Sequence, residues 1–91
     1  MTSDIAHWRQ RIDALEDQLV ALLNERASFA AEIGKIKKSQ GLPVLDATRE
    51  KEILERVAAK TSGPLSADAV QNIFSVIMSE TRKLEREIPA P

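Results

Sequence analysis

The chain has 91 residues, 43% of them hydrophobic, which is enough for one small domain covering residues 1–91. Thirteen basic and fourteen acidic residues leave a formal net charge of −1, which argues against a general nucleic-acid surface. The absence of cysteine excludes disulfides and a thiolate nucleophile, and a single histidine, His7, leaves no usual ligand set for zinc.

The N-terminus lacks the basic-then-apolar pattern of a signal peptide. No apolar run approaches the roughly 20 residues that a transmembrane helix needs. The sequence therefore predicts a soluble, cytoplasmic protein with no membrane partner.

The first predicted element is a very long helix. Strand-like alternation is absent from the whole chain, so an all-α fold is predicted. This helix should begin after Ser3 or Asp4, either of which can cap it, and run to about Gln40, where Gly41 and Pro43 end it. About 35 residues give a rod of roughly 50 Å, whereas a compact domain of this size is roughly 30 Å across. Such a rod cannot be buried by its own chain, so we expect a homodimer in which two long helices pack together.

Two shorter helices follow. The second is predicted from Asp46 to about Lys60, before "TSGP", and the third from Ser66, with Asp68 in its first turn, to about Glu87. The three predicted helices therefore cover approximately 4–40, 46–60 and 66–87.

Charged residues lie on helix faces that should be apolar. Arg26 and Lys37 share a stripe of the first helix with Ala30 and Ile33, about three turns and 16 Å apart. The stripe of the third helix likewise includes polar groups, at Thr81 and Glu85, on a face that should be core. Buried charges need partners. The residues alone leave two interpretations open: structural ion pairs, or a cation-lined pocket that holds a small anion.

The start of the second helix, "LDATREKEIL", is also unusual. The third position after an N-cap usually holds Glu or Gln, because the helix N-terminus carries partial positive charge. Here that position holds Arg49, with Asp46 before it and Glu50 after it.

The segment "WRQRIDALEDQLVALLNERASFAAEIGKIKKSQGLPVLDATREKEILERV" resembles the AroQ-type, all-α chorismate mutases. The matching features are an early arginine in an "R..ID.L" run, then "A..I...K", then "PV.D..RE..IL". The resemblance implies an intertwined helical homodimer in which the long first helix of each chain contributes to both active sites.

The resemblance also implies an isomerase that converts chorismate to prephenate in phenylalanine and tyrosine biosynthesis. This pericyclic rearrangement needs no nucleophile, metal or cofactor. It requires a dianionic substrate held in a compact conformation and positive charge at the ether oxygen, where negative charge develops.

The family's roles carry over to matching positions. The resemblance implies that Arg26 binds a substrate carboxylate within its own chain, and that Arg9 reaches the site of the other subunit. Lys37 is implied to reach the ether oxygen and a carboxylate. Arg26, Lys37 and Glu85 are therefore the predicted catalytic residues.

Four more residues are implied to bind substrate. Asp46 and Glu50 would engage the ring hydroxyl, Arg49 would form part of the pocket wall, and Thr81 would contact a carboxylate. On this hypothesis "DATRE" gives up ideal capping for a binding edge. The alternative is that Asp46 is a plain cap and that Arg49 and Glu50 are solvated.

Glu85 occupies a position at which the family has Gln or Glu facing the ether oxygen. Glutamine donates a hydrogen bond at any pH, whereas glutamate donates one only when protonated and repels the developing charge when ionised. Turnover is therefore predicted to fall as pH rises, and Glu85→Gln is predicted to flatten the profile.

Three alternatives remain open at this point. An isochorismate-pyruvate lyase shares the fold, although the complete "PVLDATRE" segment favours the mutase. A non-catalytic helical dimerisation module would explain every inward charge as interhelical pairing. The third alternative is a regulatory, chorismate-mutase-like partner of a larger pathway enzyme. Because the chain has no room for an allosteric domain, end-product control would have to come from such a partner.

Overall fold

The computed structural model describes residues 4–89 and confirms the all-α prediction. Its three helices are α1 (Asp4–Gln40), α2 (Ala47–Lys60) and α3 (Ala67–Arg86), and no strand occurs within residues 4–89. Each bound lies within one residue of the predicted one. The predicted capping by Ser3 falls outside the described residues.

The end of α1 is formed by a glycine turn. Gly41 has a φ of +68°, in the left-handed region that glycine adopts without a steric penalty. Its N–H donates to the carbonyl of Lys38, and the N–H of Leu42 donates to the carbonyl of Lys37 at 2.8 Å. This pair of bonds is the Schellman motif, which satisfies carbonyls left open at the helix end. The turn directs the chain from α1 to α2.

The two shorter helices begin at side-chain caps. Asp46 has an extended backbone, and its Oδ1 accepts a hydrogen bond of 3.0 Å from the N–H of Arg49. Ser66 caps α3 in the same way through Ala69. The predicted cap at Asp46 is therefore present. What the segment lacks is the returning Glu or Gln side chain of a full capping box.

The core lies between α2 and α3, which run antiparallel. Ile53, Val57 and Met78 form its buried centre, and Leu54, Val70 and Phe74 pack against them. Gln71 adds a side-chain bond from α3 to the carbonyl of Leu54. This hairpin places the last turns of α3 beside the first turn of α2.

Helix α1 packs on α3 through its C-terminal half, at the small residues Ala30 and Gly34. A Cβ built on Gly34 would lie 2.7 Å from Cδ1 of Ile88 and 3.1 Å from Cγ of Glu85. The missing side chain therefore allows α3 to approach, and Lys38 adds a hydrogen bond to the carbonyl of Ile88. The close neighbours of Gly34 are the side chains of Glu85 in α3 and of Ile88, just after that helix.

The N-terminal half of α1 extends away from the hairpin. The radius of gyration is 16.9 Å and the longest dimension is 61 Å, whereas a compact chain of this length has a radius near 13 Å. Large apolar side chains along this rod are exposed, including Ile5, Trp8, Ile12, Leu15, Leu19 and Leu22. The rod follows the prediction, while the homodimer expected to cover it stays a prediction.

None of the helices within residues 4–89 is both long enough and apolar enough to cross a membrane.

Candidate active site

A cleft of about 430 Å³ opens where the three helices meet. Its apolar walls include Phe29, Ala30, Ile33, Ile53 and Met78. Seven of the eight predicted site residues line it as well: Arg26, Lys37, Asp46, Arg49, Glu50, Thr81 and Glu85. These residues are distant in sequence, so only the packing of α1 and α2 against α3 brings them together.

Arg26 reaches across the cleft from α1 to α3. Its Nη1 donates a hydrogen bond of 2.9 Å to Oγ1 of Thr81. That hydroxyl in turn donates to the carbonyl of Ile77, one turn earlier. The threonine therefore orients the guanidinium without neutralising it. Within residues 4–89, Arg26 has no carboxylate partner, so its positive charge is available to an anion in the cleft.

Lys37 and Glu85 form an ion pair deep in the cleft. Nζ of Lys37 lies 3.7 Å from Oε2 of Glu85, and the two side chains are only 18% and 7% exposed. This distance exceeds a hydrogen bond. The hydrogen bond of the ammonium goes instead to the carbonyl of Val44 at 2.9 Å. An ammonium has three donors, so the geometry holds Lys37 in place and leaves donor capacity facing the cavity.

The first turn of α2 contributes three charged residues in different ways. Asp46 uses Oδ1 for the helix cap. The Arg49 side chain is 59% exposed, and its Nη1 lies 3.6 Å from Oε2 of Glu52. Its guanidinium is thus at the rim. These contacts agree with the alternative interpretation for two of the residues, in which Asp46 is a plain cap and Arg49 is solvated.

Glu50 does not agree with that alternative, because it is paired rather than solvated. Nη1 of Arg82 lies 2.6 Å from both carboxylate oxygens of Glu50, and the side chains are 27% and 24% exposed. The sequence reasoning missed Arg82. An antiparallel α2–α3 hairpin places residues after Thr81 beside the start of α2, and this register could have suggested the pairing.

Arg9 is the one predicted site residue that the structure does not bring to the cleft. It lies on the exposed rod of α1. Seventeen residues before Arg26 correspond to about 25 Å along a helix. Arg9 therefore cannot complete the cleft of its own chain, and its placement in a partner's site stays a prediction.

Among the residues that the structure describes, no group of three His, Cys, Asp or Glu side chains could hold a metal ion.

Residues 8–86 match the family model described as chorismate mutase type II. The chain belongs to this family. The resemblance seen in the sequence is therefore confirmed over residues 8–86 of this chain.

Curated relatives differ in length. The chorismate mutase of Methanocaldococcus jannaschii is 35% identical over 88 residues, which cover 96% of this chain and 89% of the relative. The bifunctional chorismate mutase/prephenate dehydratase of Aquifex aeolicus is 33% identical over 93% of this chain, but only 25% of the relative is covered. The chain thus spans about a quarter of the length of such bifunctional relatives.

Solved chorismate mutases have the same backbone arrangement. Form II of the enzyme from Thermus thermophilus has a TM-score of 0.91 at 29% identity, covering 93% of this chain and 97% of that one. The chorismate mutase of Helicobacter pylori in complex with prephenate has a TM-score of 0.83 at 28% identity, again covering 93% of this chain and 97% of that one. The three-helix fold is therefore that of the type II chorismate mutases.

Proposed function

We propose that this protein is a chorismate mutase that rearranges chorismate to prephenate at the cleft between its helices. The observation that carries the proposal is the pair of cations on α1: Arg26 has no carboxylate partner in the described residues, and Lys37 is partly buried, with one hydrogen bond to those residues for its three donors. A semi-buried, preorganised cation pair suits a dianion whose transition state gains negative charge.

The substrate would be held at two ends. Arg26 binds one carboxylate, in the orientation that Thr81 imposes on its guanidinium. Arg9 of a second copy supplies the cation that this chain cannot provide itself. Fixing both carboxylates holds the substrate in the compact conformation from which the new bond forms, which removes part of the entropic barrier.

Lys37 would act on the breaking bond. Its ammonium is positioned by the carbonyl of Val44 before substrate arrives, so little reorganisation is needed when charge develops on the ether oxygen. Glu85 lies beside it and, when protonated, donates a second hydrogen bond to the same oxygen. Glu50, which also lines the cleft, accepts a hydrogen bond from the ring hydroxyl.

The direct test is turnover by the purified protein, with chorismate and isochorismate supplied separately. We expect chorismate to disappear and prephenate to be identified as the product, with no pyruvate released. Pyruvate from isochorismate alone would favour the lyase. A folded protein that converts neither substrate would favour the dimerisation module.

The pH profile tests the role of Glu85. A protonated carboxyl donates to the ether oxygen, while an ionised one repels the charge that develops there. Turnover by the parent protein is therefore expected to fall as pH rises, whereas turnover by the Glu85→Gln variant should change little with pH. The matched control is Glu87→Gln at the exposed end of α3, which should retain the parent profile. A flat profile in the parent protein would contradict this role.

Gly34→Ala tests how closely α3 must approach α1. The new Cβ would lie 2.7 Å from Cδ1 of Ile88 and 3.1 Å from Cγ of Glu85, so the end of the Ile88 side chain must move and the Glu85 side chain must shift by a few tenths of an ångström. Because a misplacement of about 1 Å can cost about 100-fold in rate, we expect kcat/KM to fall about tenfold. Thermal unfolding should change little, since alanine gains about 1 kcal/mol in helix propensity that offsets the crowding. Unchanged kcat/KM would show that Glu85 tolerates the shift.

A larger pathway-enzyme partner and a cytoplasmic location stay predictions from the sequence. The fused dehydratase of the bifunctional relatives is compatible with the first.

A further inference from the structure

We infer that Arg82 is a positioning residue for Glu50. It orients the Glu50 carboxylate and offsets its negative charge, so that Glu50 can accept a hydrogen bond from the substrate's ring hydroxyl. The inference rests on the proposed function. It adds a residue that lies outside the cleft and that no sequence motif identified.

The contact is made by a single nitrogen. Nη1 of Arg82 lies 2.6 Å from each carboxylate oxygen of Glu50, which is short even for a charge-assisted hydrogen bond. A carboxylate has about four lone-pair sites. Arg82 occupies one on each oxygen, so Glu50 is oriented and still able to accept a further hydrogen bond from the cleft.

The two residues of this ion pair differ in their position relative to the cleft. Glu50 lines the cleft and Arg82 does not. Both side chains are about three-quarters buried, at 24% and 27% exposure, so the pair is only partly screened by water. It also joins the first turn of α2 to the last turns of α3, and both of these segments line the cleft.

The charges of the cleft explain why Glu50 needs this partner. Its ionisable lining consists of three cations and three carboxylates: Arg26, Lys37, Arg49, Asp46, Glu50 and Glu85. An unpaired Glu50 would repel a dianionic substrate. Arg82 offsets that charge from behind, so Glu50 can serve as an acceptor without weakening the attraction of Arg26 for a carboxylate.

Arg82→Met tests this inference, because methionine removes the charge and retains an unbranched apolar stem. In the parent background we expect kcat/KM for chorismate to fall about tenfold, mainly through KM, the size of effect expected for losing one charge-assisted interaction. In a Glu50→Gln background, residue 50 has no negative charge for Arg82 to offset, so the same change should alter kcat/KM less than about twofold.

Two further variants separate positioning from simple stability. Arg82→Lys should recover part of the lost kcat/KM, since it restores the charge. Lys83→Met removes an exposed cation from the next residue of α3, whose partner is Glu80, and should leave kcat/KM unchanged. Thermal unfolding of every variant shows which of them remain folded.

An equal loss for Arg82→Met in both backgrounds would overturn the inference, because Arg82 would then act independently of Glu50. Unchanged kcat/KM with a lower unfolding temperature would overturn it too, leaving a structural ion pair. A parent protein that neither converts chorismate nor binds prephenate would instead overturn the proposed function, and this inference with it.

Discussion

Replacing Lys37 with methionine is expected to lower kcat for chorismate about 10²- to 10³-fold, the usual cost of removing a preorganised donor to developing negative charge. The ammonium is held by the carbonyl of Val44 at 2.9 Å and lies 3.7 Å from Oε2 of Glu85. Since that geometry exists before substrate binds, the loss should appear in kcat more than in KM. Steady-state kinetics with each variant would measure it.

The variant also leaves Glu85 buried without its cation, at 6% exposure, and breaking such a pair is destabilising. Lys37→Met/Glu85→Gln removes the buried charge and should restore the unfolding temperature while kcat stays low. Lys35→Met, an exposed lysine paired with Glu32 on the same helix, should retain full activity. Recovery of kcat in the double variant would show that Lys37 serves the fold rather than the reaction.

Mixing two inactive variants is expected to restore activity. Arg9→Ala and Arg26→Ala should each be nearly inactive as homodimers, since every site then lacks a cation for a carboxylate. In a mixed dimer, the site that contains the intact Arg26 also receives the intact Arg9. Random exchange makes half of the dimers mixed, each with one complete site of two, so activity should rise to about a quarter of the parent value.

The control for this experiment combines Arg26→Ala with Lys37→Met. Both residues lie in the cleft of one chain, so each site of a mixed dimer lacks one of them and activity should stay low. Unfolding and refolding the two chains together provides the exchange. No gain from the Arg9→Ala and Arg26→Ala mixture, in a sample shown to contain mixed dimers, would contradict a shared site.

The helices could be predicted from the sequence because their signals are local. Gly41 supplies the left-handed residue that ends α1, and Asp46 and Ser66 each place a side-chain oxygen on the third residue of the following helix. The length of α1 alone indicated that its own chain could not bury the rod, and leucines along that rod are exposed. These features depend on neighbouring residues and on helix geometry.

The details of the cleft depend on distant residues, and there sequence reasoning was incomplete. Motif resemblance collected seven residues that do line one cavity, but it gave no partners for them. The pairing of Arg82 with Glu50 depends on the register of α2 against α3. The close neighbours of Gly34 likewise depend on how α3 crosses α1. Periodicity along one helix contains no information on either.

A crystal structure of the protein with prephenate would show whether this cleft, completed by a second copy, holds the reacting molecule. We expect a helical dimer with prephenate between Arg26 and Lys37, its ring hydroxyl on Glu50, and Arg9 of the second copy on a carboxylate. Prephenate bound elsewhere, or bound in this cleft with Arg9 of both copies remote from it, would contradict an active site shared between two copies.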